Sequence, residues 1–432
     1  MRINTQFELF KARRFLALFL TQFCGAFNDN LFKSALIILI TFRLAEQHNL
    51  NAQVLVTIVN GLFILPFFLF SATAGQLSDK YEKSFLIRIT KIAEIILMVM
   101  TAWAFMATNL WMLITLLVLM GAQSAFFGPL KYSILPQLLC PEELLAGNGL
   151  VNAATYIAIL SGTLCGGLLI LSESGRLYIG AGVVLAAVLG YAASLFIPKA
   201  EAQSPHIRID WLPPRATKNM LSNIRPHKAV FRAMMGVSWF WLLGSVFLAQ
   251  FPGYAKNVLG GNERVSTLFL VLFSIGVGLG STFCNKLLKG EISAKLAPVG
   301  SIGMSLSIAA LYISSVRFER SAGLMGISDF VSHSQAWWLM LSLIALAAFG
   351  GIFSVPFYAI TQAKSPDGYR ARVVACTNIL DSFGMVMATV AAALLLLAGV
   401  SIINVFLIFG VVNLMLTPVF SKTLNNVGLE KS

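Results

Sequence analysis

Four polar side chains, Asn28, Asp29, Asn30 and Lys33, sit within six positions of the apolar stretch CGAFNDNLFKSALIILI, residues 24–40. A carboxylate flanked by amides can hold an amine or carry a proton, and an ammonium one helical turn further on can neutralise it. Two readings of Asp29 stand side by side: a local pair with Lys33, or direct duty toward a substrate or a coupling ion. Asp381 lies in another apolar run with no charged neighbour within a helical turn, which favours function. Lys131 can attract a phosphate, or it belongs to the basic flank of a membrane segment. Lys91 and Glu94, also one turn apart, read as a structural pair.

Other chemistry is sparse. The five cysteines, Cys24, Cys140, Cys165, Cys284 and Cys376, show no CxxC spacing and read as buried thiols. His48, His206, His227 and His333 fall in connecting stretches, and no HExxH occurs. No metal, no cofactor and no nucleophile–base arrangement is expected, so an intramembrane enzyme is disfavoured.

The elements that position these residues are membrane helices. Asp29 is fifteen residues from Arg14 and fourteen from Arg43, which bound an apolar run. That run, as a helix of about 42 Å, crosses a bilayer core of about 30 Å with Asp29 near its midplane. A charge there costs about 2.5–3.5 kcal/mol, so it must face protein or water. The whole chain has the same character: 57% of its 432 residues are hydrophobic, 33 are Phe, and only 11% are charged, against roughly 25% charged in soluble domains. The first segment is too long for a signal-peptide core and is read as retained.

Charges, prolines and turn residues divide the chain into twelve candidate helices: 14–43, 53–77, 84–107, 109–128, 143–171, 176–197, 231–257, 264–288, 293–316, 336–361, 371–398 and 400–420. The fold class is therefore an all-α polytopic membrane protein. The polar, basic stretch 198–230 separates residues 1–197, a first six-helix bundle, from 231–432, a second bundle with a short tail. With the termini and the even-numbered connections on one side, that side collects 23 of the 31 Lys and Arg; Arg43, Arg176, Lys256, Arg264, Arg317 and Arg320 fall opposite. The positive-inside rule makes the richer side cytoplasmic. Anionic inner-leaflet lipid then accounts for the net charge of +13, and nucleic acid is not needed.

The two halves are alike. GPLKYSILPQ (128–137) follows the fourth candidate helix and VPFYAITQ (355–362) ends the tenth; Pro129 and Pro356 are 227 positions apart, Asn152 and Asn378 226. A constant offset near half the chain length fits parallel six-helix repeats, with substrate sites at the bilayer midplane. Gly162, Gly166 and Gly167, and Gly276, Gly278 and Gly280, line helix faces and read as close-packing positions.

GQLSDKYEKS (75–84) resembles the loop signature of the major facilitator superfamily, G-x-L-x-D-[RK]-x-G-[RK]-[RK]. Gly75, Leu77, Asp79, Lys80 and Lys83 fit it, whereas Glu82 replaces the second Gly and Ser84 the last base. Gly75 would let two helices approach, and Asp79 would cap a helix or pair with a base. Gly75, Asp79, Lys80 and Lys83 thereby form an expected conformational latch; the bland alternative is a charged turn with a capping Asp. FNDNLF, FFGPLKYSILPQL (126–138), LLAGNGLVNAATYIAILSGTLCGG (144–167), FGGIFSVPFYAITQ (349–362) and ACTNILDSFG (375–384) resemble the bacterial lysophospholipid transporter family within that superfamily.

The resemblance implies an inner-membrane protein that works by alternating access, with both termini cytoplasmic. It would flip lysophospholipids such as lysophosphatidylethanolamine toward the cytoplasmic leaflet, where an acyltransferase and acyl carrier protein synthetase re-acylate them. This chain ends soon after its twelfth helix, so no acyltransferase domain is expected in it, and a monomer is expected. The implied substrate or coupling residues are Asp29, Asn30, Lys33, Lys131, Asn152, Asn378 and Asp381. Asn152 stands where better-known members have an acid, and the seventh candidate helix lacks the family's basic residue. The rival transporter reading is a proton-coupled exporter of amphipathic drugs or another small solute, using Asp29 or Asp381. A non-transporting scaffold is the remaining class.

Overall fold

The computed structural model describes residues 6–47, 52–319, 323–366 and 368–429; His48 and Arg320 lie outside them. Long apolar runs leave the backbone no water to bond to, and a helix satisfies every such group internally. The chain accordingly folds into α1 (Arg13–Leu39), α2 (Ala52–Lys80), α3 (Lys83–Ala107), α4 (Leu110–Ser133), α5 (Pro141–Leu169) and α6 (Gly175–Ser194). After the connecting stretch come α7 (Lys228–Gly253), α8 (Glu263–Leu288), α9 (Ala297–Val316), α10 (Ser334–Ala363), α11 (Arg370–Leu397) and α12 (Ile402–Leu429). Eleven of them are long and apolar enough to cross a membrane. The exception, α3, has the length but carries Lys83, Arg88, Lys91 and Glu94.

Some boundaries differ from expectation. α4 runs through Pro129 to Ser133, because a proline late in an apolar helix removes one hydrogen bond that neighbouring groups can absorb. The 198–230 connection is not merely a polar linker: it contains a short helix, Pro213–Ile224.

Two compact units emerge, and they do not follow chain order. The first is Met1–Glu143, Ile157–Arg225 and Ser365–Ile379; the second is Leu144–Tyr156, Pro226–Lys364 and Leu380–Ser432. α5 and α11 are thus each divided, and the exchanged stretches lie near the repeat offset from one another.

Within the first unit α3 packs on α4 and α6, α2 on α4, and α1 on α4 and α6. Adding six to each number gives the pairs of the second unit: α9 with α10 and α12, α8 with α10, and α7 with α10 and α12. The sequence repeat is therefore also a packing repeat. Apolar side chains fill each unit, with Phe32 edge-on to Phe105 at 5.6 Å in the first and Phe247 stacked on Phe406 at 4.3 Å in the second. Small residues set the closest crossings. A Cβ at Gly162 would lie 2.5 Å from the Phe27 carbonyl oxygen of α1, and one at Gly276 would lie 2.6 Å from the Ile344 carbonyl oxygen of α10.

Candidate functional site

Midway along α1, polar side chains of three helices of the first unit gather into one cluster, two hydrogen-bonded groups meeting at the adjacent Gln123 and Ser124. Asp29 accepts a hydrogen bond from the Ser124 hydroxyl at 2.7 Å, and that hydroxyl lies 3.3 Å from Gln123 Oε1. Gln123 Nε2 donates to Glu94 at 3.0 Å, and Asn28 Nδ2 donates to the other oxygen of Glu94 at 3.1 Å. Lys91 completes the cluster with a 2.7 Å ion pair to Glu94; both side chains are almost completely buried, at 0% and 1% exposure. The Lys91 ammonium also lies 4.8 Å from the Phe127 ring centroid. Room for it is made by glycine, since a Cβ at Gly25 would stand 2.7 Å from the nitrogen.

α1, α3 and α4 bring these groups together through their spacing. Asn28 and Asp29 are adjacent on α1, so they diverge toward different neighbours, and Gln123 and Ser124 do the same on α4. Lys91 and Glu94 are one turn apart on α3 and share a face. Buried charges cannot be left alone in such surroundings, and each here has a partner.

The sequence candidates distribute as follows. The Asp29–Lys33 ion pair is not made: the Lys33 ammonium lies 5.3 Å from the centroid of the Phe63 ring. Asn30 donates back to the Ala26 carbonyl at 2.8 Å, with its Cβ side against Gly162. Lys131 sits 4.9 Å from the Tyr132 ring centroid and shares its electrostatic surroundings with Asp29 and Lys91. The Asn378 amide packs on Gly128, where a Cβ would approach it to 2.7 Å.

In the second unit Asn152, on the exchanged part of α5, donates to Ser281 of α8 at 2.8 Å. Asp381 of α11 accepts from Ser238 of α7 at 2.5 Å. Near Asn152 in sequence, Asn148 and Gln362 exchange two hydrogen bonds, of 3.0 and 2.7 Å. An aromatic group adjoins them, with Tyr156 stacked on Trp241 at 6.0 Å and the Trp241 indole donating to the Tyr358 hydroxyl at 2.6 Å.

At the end of α2, Asp79 is fully buried. It accepts from the backbone N–H groups of Ala371 at 3.0 Å and Arg372 at 3.3 Å, and from Arg372 Nε at 2.9 Å. These are the first turn of α11, so a carboxylate meets both a helix N-terminus and a guanidinium, and each stabilises its charge. Gly75 permits the crossing: a Cβ there would lie 2.6 Å from that of Ala375. Lys80 lies 5.9 Å from the Tyr81 ring centroid, and Lys83 is buried with its Nζ making no hydrogen bond. The base that pairs with Asp79 is thus Arg372, not Lys80 or Lys83. Glu82, at the signature's second Gly position, has φ −61°, so no glycine is required there. It caps α3 by accepting from the N–H groups of Ser84 and Phe85, each at 3.1 Å.

Sequence reasoning passed over Gln123, Ser124 and Arg372. The first two had a signal: a Gln-Ser dipeptide inside the apolar run MGAQSAFFG. Arg372 had none, because its partner is 293 positions away in sequence. Among the described residues no three His, Cys, Asp or Glu side chains gather where a metal ion could be held.

Residues 18–328 match the family profile of the Major Facilitator Superfamily. Among curated proteins, the lysophospholipid transporter LplT of Escherichia fergusonii is 24% identical over 397 residues, covering 91% of both chains. That of Photorhabdus laumondii is 26% identical over 411 residues, again with 91% of each covered. Among solved structures, the human organic anion transporter MFSD10 (TETRAN) superposes with a TM-score of 0.72 at 15% identity, covering 94% of this chain and 99% of that one. FucP in its outward conformation gives 0.70 at 13% identity, covering 94% and 97%. At such identities the two structures speak for the fold alone. A multi-pass helical membrane protein with repeated six-helix packing, an Asp-centred tie between α2 and α11, and this match over most of its length belongs to the major facilitator superfamily.

Proposed function

We propose that this protein is a membrane transporter, not an enzyme, that moves lysophospholipids such as lysophosphatidylethanolamine toward the cytoplasmic leaflet of a bacterial inner membrane. The observation that carries the reading is the polar cluster of Asp29, Ser124, Gln123, Glu94 and Lys91, in which Ser124 donates to Asp29 and Gln123 and Lys91 bond to Glu94. Five polar groups at mid-membrane depth are expensive to keep, and Asp29 among them is half-buried. A lysophospholipid supplies the complement: an amine for Asp29 and a phosphate for Lys131. Relatives aligned over 91% of the chain are lysophospholipid transporters by name, which narrows the cargo class.

The mechanism is alternating access, with residues 1–197 and 231–432 as the moving bodies and the Asp79–Arg372 tie as the latch that must break. The product would be taken by an acyltransferase and acyl carrier protein synthetase, and the transporter would act as a monomer with both termini cytoplasmic. A second reading, proton-coupled export of an amphipathic solute, is favoured by Asp381, whose carboxylate accepts from the single hydroxyl of Ser238. In proteoliposomes, labelled lysophosphatidylethanolamine should cross faster than in protein-free vesicles, with or without a proton gradient. Unchanged lysolipid rates would overturn the flipping assignment, and flux that vanishes when the gradient is collapsed would favour the exporter.

A further inference from the structure

The stretch between α6 and α7 is strapped to the latch. Lys83 N–H donates to the Ala200 carbonyl at 3.0 Å, and Ser204 N–H donates to the Asp79 carbonyl at 2.8 Å. Ser204 Oγ donates to the Gly368 carbonyl at 2.7 Å, and Asp210 N–H donates to Gln76 Oε1 at 2.8 Å. Gln76 is one helical turn before Lys80, where the apolar span of α2 ends. Asp210 and its neighbours are therefore held at the level where hydrocarbon gives way to head groups.

At that level the chain exposes Trp211 and Leu212, 69% and 63% accessible. The helix Pro213–Ile224 follows, with Ala216, Met220 and Ile224 buried on the face toward α2. Lys218 and Arg225, seven positions apart, share the opposite face, and both are exposed, as are Arg215 and Lys228. Asp210 is 3.5 Å from Arg215. Adjacent exposed Trp and Leu suit the membrane interface, where an amphipathic ring is at home. Among the described residues Lys218, Arg225 and Lys228 make no ion pair, and such bases attract anionic head groups.

We infer that Trp211, Leu212, Arg215, Lys218 and Arg225 form a docking surface for anionic phospholipid head groups, fixed at the membrane edge by the Gln76–Asp210 hydrogen bonds. The proposal stands on this chain being a membrane protein and needs neither the cargo assignment nor the orientation.

The test uses the full-length protein in vesicles containing brominated phosphatidylglycerol or brominated phosphatidylcholine at matched mole fraction. Seven tryptophans are present, so the contribution of Trp211 is the difference between wild type and Trp211→Phe. Trp211 should be quenched several-fold more by the brominated phosphatidylglycerol, because each basic residue near the surface adds to the attraction for anionic head groups. Arg215→Gln/Lys218→Gln/Arg225→Gln should abolish that preference while leaving quenching by both lipids in place. Equal quenching by the two lipids in the wild type would overturn the charge selection. No quenching by either, as expected if the surface is reserved for a cytoplasmic protein, would overturn the docking surface itself.

Discussion

The contact of α3 with α6 and the repeat-related contact of α9 with α12 meet the same packing demand with different chemistry. In the first unit Lys91 and Glu94 are buried as ions, with Lys91 wedged against Gly190, where a Cβ would stand 3.4 Å from its nitrogen. In the second, Asn413 donates to the Ser301 carbonyl at 2.7 Å and to Ser305 Oγ at 2.9 Å, and accepts from the Trp239 indole at 2.7 Å. A neutral amide with hydroxyls is enough to join two such helices. An ion pair buried in place of neutral groups is often no gain in stability. The difference supports the proposal that the charges on α3 serve more than packing: Gln123, which donates to Glu94, is next in sequence to Ser124, which donates to Asp29.

The largest effect expected from breaking this contrast is at Lys91. Lys91→Met strands a buried carboxylate and should cost about 3–5 kcal/mol, read as a drop in melting temperature and in folded yield. Lys91→Met/Glu94→Leu should regain most of that stability but not the lysolipid flux. Recovery of both would reduce the pair to packing and dissolve the comparison. Next is Asp79→Asn, which weakens charge-assisted hydrogen bonds contributing about 1.5–3 kcal/mol; flux should fall several-fold, with a drop in melting temperature smaller than that of Lys91→Met. Asn413→Ala should follow at about 1–3 kcal/mol for the unpaired groups it leaves, with unaltered flux per folded molecule; a flux defect there would erase the distinction between the units.

The smallest effect is at Glu82, outside the spans. Burial pushes its carboxyl up, but hydrogen bonds from the Ser84 hydroxyl and from the N–H groups of Ala200, Ser84 and Phe85 outweigh this and hold it below its ordinary 4.5. With the folded value depressed, the stabilisation is present above the unfolded value and lost as pH falls through the folded one. A melting-temperature profile should therefore decline at acid pH, and Glu82→Gln should flatten that limb.

Much of this was legible in the residues. Apolar run length gave the helices, the 226–227 offset marked the repeat, and GQLSDKYEKS located a buried Asp at a helix crossing. What was hidden is what depends on rotation and on distant partners. Asp29 and Lys33 are correctly spaced to pair, yet Ser124 takes the carboxylate and Phe63 the ammonium, because the neighbouring helices offered closer partners. Lys83 fits the latch signature, but Arg372 arrives from the far half of the chain. The basic stretch between α6 and α7 read as a linker; its docking rests on backbone groups of Ala200, Ser204 and Asp210, which carry no side-chain signature.

The most direct test is Asp29→Asn, purified and reconstituted beside the wild type, with flux of labelled lysophosphatidylethanolamine measured at matched protein density and melting temperature. The expected result is loss of most protein-dependent flux with an unchanged melting temperature. Flux equal to that of the wild type would contradict the assignment of the charged cluster in the first unit to the cargo.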